Sequence, residues 1–314
     1  MKIARSIEIL GYGYVLPSTT VTFDGATRYR FDSTYVHRDM LVAAGEKALA
    51  HAGLLPEDLD CIIGAVAADI QPIPCTAALV MEKLAPHAAA AALDVNSTCT
   101  SFITALDVAS RYIADGEYSR VLIVAGDVGS QFLNSEQRES FELFSDATVA
   151  FVVGPVPAES GRGILASLQQ TWPQHAHDTE IRGGGTGLPG RDFSDENAAD
   201  YLFDMNGRAA LMSMARILPK FFDRFYAKAG VTLEEIDYVI PHQASRALEL
   251  IMQKLGIEKG KYADYVNDYG NMVSSSVPFA LAKSLEAGKV GPGSTVMLCG
   301  TAAGLTANAL LLKL

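Results

Sequence analysis

Two stretches of the chain repeat one pattern of apolar and polar positions. AHAGLLPEDLDCII (50–63) and AKAGVTLEEIDYVI (227–240) align at an offset of 177, with Ala50/Ala227, Gly53/Gly230, Glu57/Glu234, Asp60/Asp237 and Ile63/Ile240 identical. Each copy predicts a helix that stops at glycine, where left-handed backbone carries no Cβ strain. A short turn and a buried apolar strand follow. A second pair shares layout more than identity. ALDVNSTCTSFITALDVASRYIADG (92–116) and DYVNDYGNMVSSSVPFALAKSLEAG (264–288) both read as strand, polar turn, helix and closing glycine. Aligning Gly116 with Gly288, an offset of 172, sets Cys99 opposite Asn271. Pro278 suits the first turn of the second helix, where its missing N–H costs nothing. Another buried run follows each copy, RVLIVAGD (120–127) and STVMLCGTAAG (294–304).

Strands that alternate with helices predict α/β layers. Repetition predicts a chain built twice, as an N-terminal half over 1–160 and a C-terminal half over 161–314, joined through the turn-rich GPVPAESGRG. Residues 171–200 are polar and Gly-rich, and predict a long loop of the second half.

Composition narrows the classes. The chain has 314 residues, 49% hydrophobic and 19% charged, enough apolar content to fill a large core. Its formal net charge of −11 repels phosphate backbones, so nucleic acid is not an expected partner. No run of 18 uncharged apolar residues predicts a membrane span, and the first residues lack the apolar core of a signal peptide. The four cysteines form no CxxC pair, so neither a disulfide scaffold nor a zinc site is expected. A reducing cytoplasm fits. His175-x-His177 has no third ligand nearby, and no metal is assigned.

Three residues stand where chemistry is placed. Cys99 lies between a strand end and a helix whose Phe102, Leu106, Ala109 and Ile113 share a face. Orphan N–H groups at that helix start favour thiolate, and the Cys99 N–H can serve an oxyanion. A buried structural thiol is the competing reading. Cys61 and Cys299 sit in strand-like runs and are expected in the core. His242 follows the strand DYVI and Pro241, at the C-terminal strand end where open α/β folds put functional groups. A helix is expected directly after it, over ASRALELIMQKLG. Asn271, in NDYGNMVSSS, gains interest from its alignment with Cys99. GGGTG (183–187) lacks the GK[ST] of a phosphate loop and reads as flexible loop. The small residues of CGTAAGLTAN (299–308) allow close backbone approach to a ligand, or a tight turn.

DVNSTCTSF around Cys99, FSDATVAFVVG (144–154), PHQAS (241–245) and YGNMVSSSVPFAL (269–281) together resemble the thiolase superfamily, specifically its β-ketoacyl-acyl-carrier-protein synthase III branch. The resemblance runs from about residue 40 to the end. It implies the duplicated five-layered α/β/α/β/α sandwich, usually a homodimer, and no cofactor beyond the thioester substrates. It implies that Cys99 takes an acyl group from acyl-CoA or acyl-acyl-carrier protein. His242 and Asn271 would then hold the carbonyl of malonyl-acyl-carrier protein while CO2 leaves and a β-ketoacyl thioester forms. The backbone N–H groups of Cys99 and Ala303 would hold the tetrahedral oxyanion.

Departures accompany the match. Ser245 replaces the Asn of HQAN on the pantetheine path. The stretch between Pro17 and Arg38 is short and lacks the family's tryptophan; the one Trp is Trp172. Arg138 matches the family's adenine-contacting arginine. For an acidic carrier protein, Arg246 and Lys254 on the helix after His242 would provide positive charge, with Arg208, Lys220 and Arg224 before it. IQPIPCTAALV (70–80) resembles the dimer-contacting loop, with Ile73 or Pro74 meeting the partner's tunnel. Two other readings stay open at this level. Cys99 would pass its acyl group to an alcohol or amine without condensation, or the chain would be a non-catalytic subunit shaping another synthase's tunnel.

Overall fold

The apolar runs become the central strands of two sheets in a computed structural model, which describes residues 2–32 and 36–314, and the side chains of all of these except 208 and 209. In chain order the first part holds β1 (Ile7–Val15), the hairpin β2 (Thr20–Phe23) and β3 (Ala26–Tyr29), α1 (His37–Ala52), β4 (Cys61–Gly64), α2 (Thr76–Leu84), β5 (Ala91–Asp94), α3 (Ser101–Ala114), β6 (Val121–Asp127), α4 (Arg138–Leu143) and β7 (Ala147–Pro155). The second part holds β8 (Gly163–Thr171), a small ribbon of β9 (Thr179–Glu180) and β10 (Asp204–Met205), α5 (Gly207–Ala229), β11 (Tyr238–Pro241), α6 (Leu248–Lys254), α7 (Val266–Tyr269), α8 (Ser276–Glu286), β12 (Thr295–Ala302) and β13 (Thr306–Lys313).

The first sheet is ordered β1-β7-β6-β4-β5 and the second, read from its far edge, β8-β13-β12-β11. The orders correspond strand for strand, and a parallel bridge between Val239 and Tyr262 stands where β5 stands in the first sheet. In both, the pairs toward the β1 or β8 edge are antiparallel and those toward the opposite edge are parallel. The repeat seen in the sequence is a repeat of hydrogen bonds. Gly53 and Gly230 both end their helices at left-handed φ, 66° and 65°. Asp60 and Asp237 both turn a carboxylate oxygen onto the backbone of the next parallel strand, at Arg120 N (2.8 Å) and Thr295 N (2.7 Å).

The layers follow from which faces are apolar. α3 and α8 are buried between the sheets, where Phe102, Leu106, Val277 and Phe279 meet Ile63, Ile123, Leu298 and Leu310. α1 and α2 cover the outer face of the first sheet through Leu41, Ala48 and Val80. α5 and α6 cover the outer face of the second through Phe221, Phe225 and Met252. The result is the five-layered α/β/α/β/α thiolase-like sandwich. Each large side chain buried here contributes about 1.5–3 kcal/mol, so the central layer is anchored from both sides. Among the described residues no helix is long and apolar enough to cross a membrane.

The 171–200 segment is more ordered than its composition predicts. Arg182 binds Glu180 (3.0 Å), Asp200 (2.6 Å) and Asp204 (3.0 Å), and the Gly183 amide donates to Asp200 O (2.7 Å). Polar side chains spaced along the segment pair with one another, which a hydrophobicity pattern cannot reveal.

Candidate active site

The turn bearing Cys99 is built by its own polar side chains. Asn96 Oδ1 accepts the Thr98 N–H (2.9 Å), and Ser101 Oγ accepts from Ser97 N (3.0 Å) while donating to Thr98 O (2.7 Å). These bonds hold Thr98 at φ +50°, a position a β-branched residue rarely adopts. Cys99 follows within the 3-10 turn Thr98–Thr100 that leads into α3. The residue is half-buried, and its sulfur receives the backbone N–H groups of Cys99 and Ala303. The expectation of thiolate at this helix start is corrected. The two N–H groups lower the thiol, but burial and the nearby Asp127 carboxylate outweigh them and push it up to about 12.

His242 continues the register of β11, its N–H donating to Cys299 O (2.8 Å) on β12. The ring is buried, and desolvation lowers its pKa to about 4, so the imidazole is neutral at neutral pH. Among the described residues its Nδ1 has no hydrogen-bond partner. Gly300 separates it from the cysteine turn: a Cβ there would meet His242 Cβ at 2.7 Å and Thr100 Cγ2 at 3.3 Å.

Asn271 comes from α7 through Gly270, whose φ of 76° and ψ of −167° suit glycine alone. Its backbone is clamped to the first half, with its N–H on Leu143 O (2.9 Å) and its carbonyl on Ser145 N (2.8 Å). Its Oδ1 accepts from Val273 N (2.9 Å) and Ser276 Oγ (3.4 Å), while Nδ2 reaches Ala244 O at 3.3 Å. The carboxamide oxygen is thus occupied and the NH2 is its donor end. The Ala244 N–H in turn donates to His242 O (2.9 Å). Cys99 is tied to β12 through Ala303, His242 to β12 through Cys299, and Asn271 to the His242 segment through Ala244. All three come to the C-terminal ends of the central strands.

Setting Cys99 opposite Asn271 is also corrected. The equivalent turns are Thr98–Thr100 and Val273–Ser275, an offset of 175. The helix after the first has 14 residues and the helix after the second 11, so the closing glycines lie at 172 instead. Cys99 corresponds to Ser274, and Asn271 to Asn96.

The helix expected straight after His242 begins only at Leu248. Gln243 uses its side chain to tie the intervening loop, donating to Pro241 O (2.9 Å) and Ala263 O (3.1 Å) and accepting from Tyr265 N (2.8 Å). Ser245 is half-buried, and its Oγ accepts from Ala247 N (3.2 Å). It lines a cavity of about 40 Å³ between α5 and α6 that reaches His242. Arg246 and Lys254 are exposed. Arg138 is exposed at the start of α4 and pairs with Glu142 (2.5 Å) and Asp24 (3.7 Å). The side chain of Arg208 lies outside the described residues. Cys61 and Cys299 are buried in strands, as expected.

Sequence reasoning missed Asp127 and Ser274. Asp127 ends β6 and is buried, accepting from Ala67 N, Ala68 N, Ser274 N and Ser274 Oγ. A lone acid closing the apolar run VLIVAGD was the available signal. It also missed Arg28, a buried cation that binds the carbonyls of Thr27 (2.7 Å), Glu142 (2.9 Å) and Asn267 (3.1 Å).

Two family descriptions match the chain: 3-oxoacyl-[acyl-carrier-protein] synthase III over residues 93–172, and its C-terminal part over 226–314. A β-ketoacyl-[acyl-carrier-protein] synthase III of Symbiobacterium thermophilum is 34% identical over 277 residues, 88% of this chain and 82% of the relative. That of Staphylococcus aureus strain Newman is 33% identical over 276 residues, with the same coverage. The crystal structure of 3-oxoacyl-[acyl-carrier-protein] synthase III from Aquifex aeolicus superposes with a TM-score of 0.86 at 29% identity, covering 98% of this chain and 100% of that one. The priming β-ketosynthase of the R1128 polyketide pathway, 23% identical, shares the fold with a TM-score of 0.87 over 100% and 98% of the two chains.

Proposed function

Because the chain belongs to the 3-oxoacyl-[acyl-carrier-protein] synthase III family and is a condensing acyltransferase, we propose that Cys99, His242 and Asn271 carry the reaction, the cysteine in acyl transfer and the other two in decarboxylation. In the first half-reaction the Cys99 sulfur attacks the carbonyl of an acyl thioester. A sulfur–carbon bond forms, the old one breaks, and the thiol proton leaves with the departing thiol. The developing oxyanion sits on the N–H groups of Cys99 and Ala303, a pair of fixed dipoles in a desolvated place.

In the second half-reaction the malonyl thioester carbonyl sits against the neutral imidazole of His242 and the Nδ2 of Asn271. Loss of CO2 leaves its electron pair on the enolate, and these groups hold the charge through N–H hydrogen bonds, with no proton transferred. The enolate carbon attacks the acyl carbonyl, the carbon–carbon bond forms, and Cys99 leaves as sulfur and regains a proton. No cofactor enters. The observation that supports this reading best is the orientation of Asn271: with Oδ1 occupied, the residue offers donors and not a base. Transfer to an alcohol or amine is not favoured, since the relatives are named as ketoacyl synthases.

The halves over 1–160 and 161–314 would divide the labour, one supplying the nucleophile and the other the decarboxylating pair. Arg138 would meet the adenine end of coenzyme A, Ser245 the pantetheine, and Arg246 with Lys254 an acidic carrier protein. A cytoplasmic homodimer closed by the Ile73 loop completes the reading.

Intact-protein mass spectrometry with acyl-CoA and acyl-carrier-protein donors tests it. We expect one acyl group on Cys99, none in Cys99→Ala, and CO2 release on adding malonyl-acyl-carrier protein. His242→Ala and Asn271→Ala should lose at least about a hundredfold in decarboxylation. Condensation at the parental rate by Cys99→Ala would falsify the mechanism.

A further inference from the structure

The internal repeat places two residues over two equivalent turns. β6 corresponds to β12 at the offset of 175, since Val121 pairs with Cys61 as Val296 pairs with Tyr238. Asp127, the last residue of β6, therefore corresponds to Ala302. Ala302 is followed by the N–H that reaches Cys99, and it carries only a methyl side chain. Asp127 stands at the equivalent place in the other half and takes both the N–H (3.1 Å) and the hydroxyl (2.5 Å) of Ser274. Its other oxygen takes the amides of Ala67 and Ala68, both at 2.9 Å.

A carboxylate buried to 2% exposure is costly, and among the described residues Asp127 forms no ion pair. Its four hydrogen bonds come from both halves of the chain. The turn it grips also holds Val273, a β-branched residue at φ 51°. Such a conformation is strained and persists only where the surroundings over-determine it. The Val273 N–H is the group that occupies Asn271 Oδ1.

We propose that Asp127 is a positioning residue for decarboxylation: by gripping Ser274 at its amide and its hydroxyl, it fixes the turn from which Asn271 presents its carboxamide. This rests on the function proposed above. It also accounts for one working site in a duplicated fold, since the second copy of the turn is occupied by the Asp127–Ser274 pair.

The test compares the full-length parent with Ser274→Ala, Ser274→Thr, Asp127→Asn and Asn271→Ala. Ser274→Ala should lower kcat for malonyl-acyl-carrier-protein decarboxylation at least about tenfold, with KM and acylation of Cys99 within about threefold of the parent. Ser274→Thr, which keeps a hydroxyl, should recover most of the loss. Asp127→Asn weakens the grip on Ser274 and should lower decarboxylation selectively in the same way, with acylation of Cys99 kept. Should Asp127→Asn not fold, the two Ser274 variants still decide. Parental decarboxylation by Ser274→Ala, equal losses of acylation and decarboxylation, or parental decarboxylation by a folded Asp127→Asn each overturn the proposal. If Asn271→Ala loses decarboxylation and Ser274→Ala does not, only this inference fails. A parent that releases no CO2 overturns the functional reading and this inference with it.

Discussion

Cys99 and Ser274 occupy the same place in two copies of one turn. Each follows a β-branched residue at positive φ, Thr98 at 50° and Val273 at 51°. The bonds match one for one: Thr98 N to Asn96 Oδ1 and Val273 N to Asn271 Oδ1, both 2.9 Å; Ser97 N to Ser101 Oγ (3.0 Å) and Met272 N to Ser276 Oγ (2.9 Å). Even the amide ends agree, with Asn96 Nδ2 on Ala67 O (3.2 Å) and Asn271 Nδ2 on Ala244 O (3.3 Å). One scaffold thus presents two different groups, according to which position of the turn carries the reactive side chain.

Gly300 lies against the stem of His242 and faces Thr100 of the first half, so a single methyl group there probes their spacing. In Gly300→Ala the added Cβ would lie 2.7 Å from His242 Cβ, the stem of the side chain and not a flexible end. The imidazole must move. We expect condensation to fall at least about tenfold while the far-ultraviolet spectrum and melting cooperativity are kept. Parental turnover would show that His242 tolerates displacement.

The chemistry of the sulfur gives a second measurement. With its thiol pushed up to about 12, Cys99 holds only about one part in 10⁵ as thiolate at pH 7. Its alkylation by iodoacetamide, followed at the Cys99 peptide, should rise about tenfold per pH unit between pH 7 and 10. A plateau below pH 9 would mean that the N–H pair and the helix start outweigh burial and Asp127.

The Ile73 side chain is 83% exposed, yet its loop is firmly held. Asp127 anchors one end at Ala67 and Ala68, and Asp94 anchors the other at Thr76 N (2.6 Å) and Ala77 N (2.8 Å). A rigidly presented apolar side chain suits a contact with a second copy. Ile73→Asp should shift the protein to monomer in light scattering at micromolar concentration, leaving the fold intact. An unchanged mass would remove this loop from the interface.

How far the sequence carried depended on the length scale of the signal. The duplicated layers were legible because the buried strands and helix-ending glycines, Gly53 and Gly230 among them, repeat locally. Cys99 and His242 drew notice as candidates because each follows a punctuated strand end, and Asn271 because of its alignment with Cys99. The pairing of Cys99 with Asn271 was misread, since aligning on helix ends hides a helix shorter by one turn. Asp127 left only the trace of a lone acid closing an apolar run, and Ser274 left none. They are 147 residues apart, and their value lies in a contact that no local pattern records.

His242 ties stability to acidity. Unperturbed histidine titrates near 6.5, and burial lowers this ring to about 4 in the fold. Between those values the unfolded chain binds a proton that the folded chain refuses, so stability falls as pH drops. The contribution is fully present above pH 6.5 and is lost progressively toward pH 4, the loss reaching about 2–3 kcal/mol at pH 4.5. His242→Gln keeps the bulk and removes the titration. Urea unfolding at pH 7 and pH 4.5 should therefore show the parent losing about 2–3 kcal/mol more than the variant between the two conditions. Equal losses would mean that the ring takes up its proton in the folded state, and a protonated imidazole would then be the donor offered to the enolate.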